Sequence, residues 1–268
     1  MRRISFLLAS VLITTFLFAA CGSRSPQPAS ASDSASGAYN SSSAFQQPKV
    51  ISNEEAASNN SNIKPEDITL IQLEGGKSSE SVVIHTSLGD IEIELYREQA
   101  PKAVDNFITH ARDGYYNGMD FYKVVENYII QSGAPADKDA ESIYKGEDGK
   151  SVLFEDEFDL SLWNFRGALV MQNKGVDRPD TNASEFFIVQ AGPVMEEDLI
   201  EEMKAIKYPE KVIEAYQEIG GIPGFDWRHT VFGMVTGGMD VVDEIAEAAT
   251  DAFGRPEETI LIESITIK

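Results

Sequence analysis

The residues Ile91-Glu92-Ile93-Glu94-Leu95 alternate apolar and acidic side chains with a period of two. Only an extended strand gathers such a pattern into one apolar face, because a helix would spread the acids around its circumference. A Leu88-Gly89-Asp90 turn joins this run to Val82-Val83-Ile84-His85, so the folded part opens as a hairpin near Ser81. Similar short runs follow at Phe121 to Val125, Tyr128 to Gln131, Ala168 to Gln172, Phe186 to Val189, Thr230 to Val235 and Ile260 to Ile267. Gly-rich and Pro-containing loops separate them. One helix is expected early: Pro101 suits its first turn, Val104, Phe107 and Ile108 form its apolar stripe, and Gly114 ends it. Many short strands with two or three helices imply a mainly β fold, either an antiparallel barrel or a sandwich.

The 268 residues are 42% hydrophobic and 25% charged, enough for one sizeable core and too few for more than two comfortable domains. Lys and Arg number 22 against 44 Asp and Glu, a net charge of -22, so the chain as a whole repels a phosphate backbone. Nucleic-acid binding is excluded on that ground. Cys21 is the only cysteine, which rules out a disulfide within the chain and any zinc site of paired cysteines. The three histidines, His85, His110 and His229, show no metal-binding spacing, and no metal site is expected. His85 reads as a strand residue and His110 as a helix-end cation. The acids in Phe154-Glu155-Asp156-Glu157-Phe158 read as a solvated loop rather than a paired-carboxylate site.

Residues 1–20 read as a secretory signal: Arg2 and Arg3 precede an apolar run from Ile4 to Ala20 that closes on small residues. A single spanning helix competes, but the run sits at the short end of the roughly 17 to 25 residues a span needs. The stretch Leu17-Phe18-Ala19-Ala20-Cys21-Gly22-Ser23 resembles the lipobox of bacterial lipoproteins, whose cysteine is lipidated and becomes the mature N-terminus. Phe18 stands where leucine is usual. Ordinary secretory cleavage, leaving Cys21 a free thiol, is the alternative. Cleavage removes two arginines and no acid, so 20 basic against 44 acidic residues leave -24, and the lipid must do the anchoring. Residues 21–64 then form a lipidated Cys and a disordered tether rich in Ser, Ala, Asn and Gln, with a reach of roughly 35 Å. Residues 65–80 are a lead-in, within which Ile68 to Leu73 could make a short strand.

From residue 81 to 268, the segments LGDIEIELYREQAPKAVDNF, GYYNGMDFYKVVENYIIQSG, TNASEFFIV, RHTVFGMV and GMDVVDEI are similar in order and spacing to a cyclophilin, the peptidyl-prolyl isomerase family. The resemblance implies a closed eight-stranded antiparallel barrel capped by helices, with an outer groove for peptides containing Xaa-Pro and with no cofactor or metal. An insertion at about 193–223 departs from it. Leu199, Met203 and Ile206 share one helical face, and Val212, Ile213, Tyr216 and Ile219 share another after Pro209, so it reads as a helical hairpin beside the groove. The hairpin is acidic, either as plain decoration or as a rim that favours basic clients.

The resemblance also implies a site. Lys123 occupies the position of the family's catalytic arginine, and Gln131 and His229 match. Tyr128, Ile129, Phe187 and Phe225 line the proline-ring pocket; Gln172 and Asn173 line the peptide groove. Glu185 replaces a glutamine, and Gly224 stands where tryptophan is frequent. Lys123 and Glu185 are expected to face one groove, either paired or as two independent charges. The implied chemistry is rotation of an Xaa-Pro amide across a barrier of roughly 20 kcal/mol, which takes about 10 to 100 s uncatalysed. A dry pocket that grips the ring, with a donor aimed at the prolyl carbonyl, favours the twisted amide and needs no nucleophile or ATP. Lysine is a mobile point charge where arginine is a planar fork, so two functions follow. One is a folding isomerase for secreted or envelope proteins; the other is a catalytically weak or inactive chaperone or scaffold that binds proline-containing polypeptides. The expected setting is the extracytoplasmic face of the cell membrane, with the protein lipid-anchored and monomeric.

Overall fold

The computed structural model describes residues 60–61, 63–64, 66, 68–75, 78–135, 139–175 and 178–268. The signal segment, Cys21 and most of the tether lie outside them. Strands β1 (Ser81–Thr86) and β2 (Gly89–Leu95) pair antiparallel from Ser81 opposite Glu94 to Thr86 opposite Gly89. The alternation has its expected effect, for Ile91, Ile93 and Leu95 are fully buried. The turn lies one residue earlier than expected, at Ser87-Leu88, because the Thr86 hydroxyl donates to Gly89 O and accepts from Leu88 N and Gly89 N.

Six further strands complete the sheet: β3 (Lys123–Val125), β4 (Ile129–Ser132), β5 (Ala168–Met171), β6 (Phe186–Val189), β7 (Val231–Gly237) and β8 (Ile262–Ile267). Their order is β3-β4-β6-β5-β7-β2-β1-β8, antiparallel at every junction. The expected closed barrel is not formed as a continuous ladder. Strand β3 lasts only three residues before Asn127 turns with a φ of 55°, too short to pair along β8. The two edges meet upstream instead, through a bridge of Asp120 with Leu261 and backbone bonds from Gly118 N to Ile262 O (2.7 Å) and Phe121 N to Ile260 O (3.0 Å). The sheet is thus curled and eight-stranded, with its ladder open between β3 and β8.

Helix α2 (Pro101–Arg112) and helix α5 (Met239–Ala246) cover the inner face. Phe107 anchors that core, with ring centroids 5.3 Å from Phe186 and 5.4 Å from Phe232. The N-terminus of α2 has no side-chain cap of its own. Glu157 supplies one from 54 and 55 residues away, accepting from Lys102 N (3.1 Å) and Ala103 N (2.9 Å). The neighbouring acids are equally committed. Asp156 accepts from Asn173, Asn182 and the backbone of Asp180, and Glu155 pairs with Lys102. The acidic stretch is therefore an organised brace and not a merely solvated loop. His85 sits on β1 as expected, 2.7 Å from Asp90. His110 does not remain a helix-end cation: burial pushes its pKa down, and its ring stacks on Tyr115 at 4.2 Å.

The insertion folds as helices α3 (Glu197–Ala205) and α4 (Glu210–Ile219), which bury Met203, Val212, Ile213 and Tyr216 against Trp163 and Phe165. Gly221 returns the chain to the domain at a φ of 136°, where a Cβ would lie 2.3 Å from Asn164 O. The lead-in crosses this second core. Its expected strand is instead a single helical turn, α1 (Ile71–Glu74), because Ile68 and Leu70 plunge into the insertion's core while Gln72 locks onto Trp163. Gln72 Nε2 donates to Trp163 O (2.9 Å), and Trp163 N donates back to Gln72 Oε1 (2.7 Å). Asn60 also docks, accepting from Trp227 Nε1 at 3.1 Å and donating to Ile206 O at 3.0 Å. Among the described residues no helix is long and apolar enough to cross a membrane.

Candidate functional site

Lys123, Gln131, Phe187, Val170 and Val231 lie directly opposite one another in turn across β3, β4, β6, β5 and β7. Directly opposed side chains in antiparallel strands share a face, so these five residues form one row on the face away from α2. Ile129 sits two residues from Gln131 on that same face, buried with Phe187 and Val189 in an apolar cluster separate from the inner core. Strands β4, β5 and β6 are thus buried on both faces, which is why their sequences read as unbroken apolar runs.

A short 3-10 turn, Pro223–Phe225, brings a second phenylalanine ring beside Phe187. Phe225 lies 5.5 Å from Tyr128, 5.4 Å from Phe187 and 4.9 Å from His229, and Phe187 lies 5.5 Å from His229. The edge-on and tilted packing suits aromatic quadrupoles and leaves Phe225 half-exposed at the surface. His229 is only 9% exposed. Burial drives its pKa down to about 4, against a partial upward pull from Asp156, so the imidazole is neutral at pH 7 and packs edge-on against Phe187 and Phe225. Tyr128, Ile129, Phe187, Phe225 and His229 are therefore together in space.

The polar residues divide. Lys123 is half-buried at the head of β3, and desolvation lowers its pKa. Glu185 is engaged by the residue before Lys123, Tyr122. The Glu185 carboxylate accepts from the Tyr122 hydroxyl at 2.6 Å, and that hydroxyl accepts from Gln131 Nε2 at 2.5 Å. The residue immediately before β3 thus turns its hydroxyl toward Glu185. Asn173 is 2% exposed, with its amide donating to Asp156 (3.0 Å) and to Arg228 O (2.6 Å), so its side chain braces the loop before His229. Gln172 donates its side chain to Asn173 O.

Three polar residues that sequence reasoning passed over shape the site: Tyr122, Asn164 and Asp226. Asp226, next in sequence to Phe225, is buried and accepts from Asn164 N (3.0 Å), Asn164 Nδ2 (2.8 Å), Tyr208 Oη (3.1 Å) and Tyr216 Oη (2.7 Å). Desolvation lifts its carboxyl to about 6 despite those four donors. A cavity of about 10 Å³, lined by Glu157, Trp163, Asn164, Asp226 and Trp227 among others, adjoins His229. A larger hollow of about 360 Å³, bounded by Ile71, Glu80, Tyr96 and Arg97, contains none of the ring-pocket residues. Among the described residues no cluster of three or more His, Cys, Asp or Glu could hold a metal ion.

Residues 81–267 match the family described as cyclophilin type peptidyl-prolyl cis-trans isomerase/CLD. Over 189 residues the chain is 40% identical to a Staphylococcus aureus (strain USA300) protein named "Putative peptidyl-prolyl cis-trans isomerase", and equally to one of the same name from Staphylococcus epidermidis. Each match covers 70% of this chain and 91% of the relative. A solved cyclophilin type peptidyl-prolyl cis-trans isomerase of Cryptosporidium parvum is similar at 29% identity and a TM-score of 0.54, over 70% of this chain and 97% of that one. The same protein in the presence of the dipeptide Ala-Pro matches at 28% identity and a TM-score of 0.53, over 70% and 98%. The chain belongs to the cyclophilin-type peptidyl-prolyl cis-trans isomerases.

Proposed function

We propose that this isomerase acts on Xaa-Pro bonds of secreted and envelope proteins, held by a lipid on Cys21 at the extracytoplasmic face of the cell membrane. The observation that carries the reading is the convergence of Tyr128, Phe187, Phe225 and His229 around one outer-face position, with Lys123 and Gln131 in the same cross-strand row. The rings and Ile129 take the proline ring out of water. The Lys123 ammonium donates toward the prolyl carbonyl and favours the amide as it twists out of resonance. His229, neutral and buried, contributes shape. No proton transfer is required of it. The lead-in and acidic hairpin flank the pocket, and the hairpin's exposed acids favour basic clients.

A second reading, binding of proline-containing segments with little turnover, is favoured by Lys123 itself. A lysine pays more rotamer entropy per hydrogen bond than a guanidinium fork and loses charge more readily when desolvated. A protease-coupled assay on an Xaa-Pro peptide separates the two: acceleration of the slow phase that Phe187→Ala abolishes supports the isomerase, whereas calorimetric binding without acceleration supports the binder. Localisation is tested by fractionation. Wild-type protein should partition with membranes, and Cys21→Ala should be released or remain an uncleaved precursor; wild-type protein wholly in the soluble secreted fraction would rule the anchor out.

A further inference from the structure

We infer that Tyr122 and Glu185 are positioning residues which fix the end of the Gln131 amide that faces Lys123. The inference rests on the isomerase reading of Lys123 and adds a residue to it. The three side chains form a single chain of bonds, Gln131 Nε2 to Tyr122 Oη at 2.5 Å and Tyr122 Oη to Glu185 Oε1 at 2.6 Å. Its direction follows from chemistry. A carboxylate accepts and does not donate, so Tyr122 must give Glu185 its only proton. The phenol oxygen is then left with lone pairs alone, and Gln131 must turn its NH2 group toward it. The amide oxygen of Gln131 is thereby left at the other end, and the directly opposed residue on the same face of the sheet is Lys123.

That orientation matters because an ammonium has three donors and no acceptor. A carbonyl oxygen beside Lys123 attracts and orients it; an NH2 group would push it away. The flexible lysine lacks the rigidity of a guanidinium, and a fixed acceptor next to it restores part of what the site needs. A glutamine at 185 could either donate or accept, which would leave the chain free to run in both directions and Gln131 free to flip. Glu185 is itself held firmly. Its backbone carbonyl accepts from Gln172 N at 2.9 Å, and the preceding Ser184 is fully buried, bonded to Gly133 O at 2.7 Å and to the Tyr116 hydroxyl at 3.2 Å. Burial raises the pKa of Tyr122 still further above its ordinary value, with Glu185 adding to the shift, so the phenol stays protonated and able to donate.

The test has two arms on the full folded protein. In NMR spectra with the Gln131 side-chain amide assigned, its NH2 protons should show a cross-peak to the Tyr122 ring that weakens or disappears in Glu185→Gln. This arm needs no turnover, so an inactive wild type would overturn the isomerase reading while leaving the inference open to decision. In the kinetic arm, Glu185→Gln and Tyr122→Phe should each lower kcat on an Xaa-Pro peptide about tenfold with KM within about twofold, and the double mutant should be no slower than the slower single mutant. Should Tyr122→Phe fail to fold, Glu185→Gln decides alone. An unchanged amide cross-peak in Glu185→Gln, or strictly additive kinetics, overturns the inference.

Discussion

The Tyr216 hydroxyl donates to the buried Asp226 carboxylate across 2.7 Å, and through that bond the inserted hairpin holds the turn that carries Phe225. Tyr208, between the two inserted helices, adds a second bond to the same oxygen at 3.1 Å. The insertion is thus a brace behind the ring pocket as well as an acidic outer surface.

Removing either hydroxyl leaves a buried charged acceptor short of one donor, which costs about 1–3 kcal/mol. Tyr216→Phe should lower stability in urea denaturation by that amount and raise KM for an Xaa-Pro peptide, because Phe225 loses its backing. Loss of stability with an unchanged KM would confine the brace to the insertion.

The pH dependence of Asp226 has a definite sign. Its folded pKa, about 6, lies above the ordinary 3.8, with burial as the largest cause. The group's stabilising contribution is therefore complete below about pH 4 and is lost as pH rises through 6. Wild-type protein should lose stability relative to Asp226→Asn between about pH 4 and pH 7, by on the order of 2–3 kcal/mol. Denaturation curves for both proteins across that range measure the gap, and a gap that stays constant contradicts the assignment.

His229 works in the opposite sense over much of the same window. Burial lowers its pKa from 6.5 to about 4, so its contribution is present above pH 6.5 and is lost as pH falls through 4. Its ring protons, followed by NMR, should titrate with a midpoint below about pH 5, and kcat/KM should show no inflection near 6.5 attributable to this residue. A ring titrating near 6.5 would mean that water reaches the pocket floor.

Some of this was legible in the chain because it is written in short-range pattern. The alternation of Ile91 to Leu95 fixes a face, and the apolar strands 129–132 and 186–189 announce a sheet buried on both sides. The meeting of Tyr128, Phe187, Phe225 and His229 followed from blocks of sequence matched in order. Other features have no local signature. Asp226, Asn164, Tyr208 and Tyr216 meet only after the insertion folds back, and nothing in the spacing of one buried aspartate distinguishes it from the many acids on the surface. The acids at 155–157 illustrate the same limit, since composition alone cannot tell a solvated carboxylate from one capping a helix more than fifty residues away. The open ladder between β3 and β8 depends on a three-residue strand length, and strand ends are set by tertiary contacts such as the Asp120 and Leu261 bridge. Lys123 and Glu185 both align with groove positions, but alignment does not reveal that Tyr122 reaches Glu185.

Replacing Lys123 with arginine tests how much of the chemistry rests on a single donor. The side chain is half-buried, and desolvation already lowers its pKa. A guanidinium stays charged under the same burial and presents two parallel donors in a fixed plane. One preorganised donor contributes about 100- to 1000-fold in turnover elsewhere, and a lysine at this position supplies only part of that. Lys123→Arg should therefore raise kcat/KM on an Xaa-Pro peptide by about tenfold, chiefly through kcat, since the proposed reading assigns ground-state binding to the rings. The Gln131 amide oxygen, turned toward position 123 by Tyr122 and Glu185, can accept from a guanidinium as well as from an ammonium, so the gain should persist only while that relay is intact. Unchanged turnover in Lys123→Arg, measured alongside unchanged peptide affinity, would show that the donor at 123 does not limit the rate.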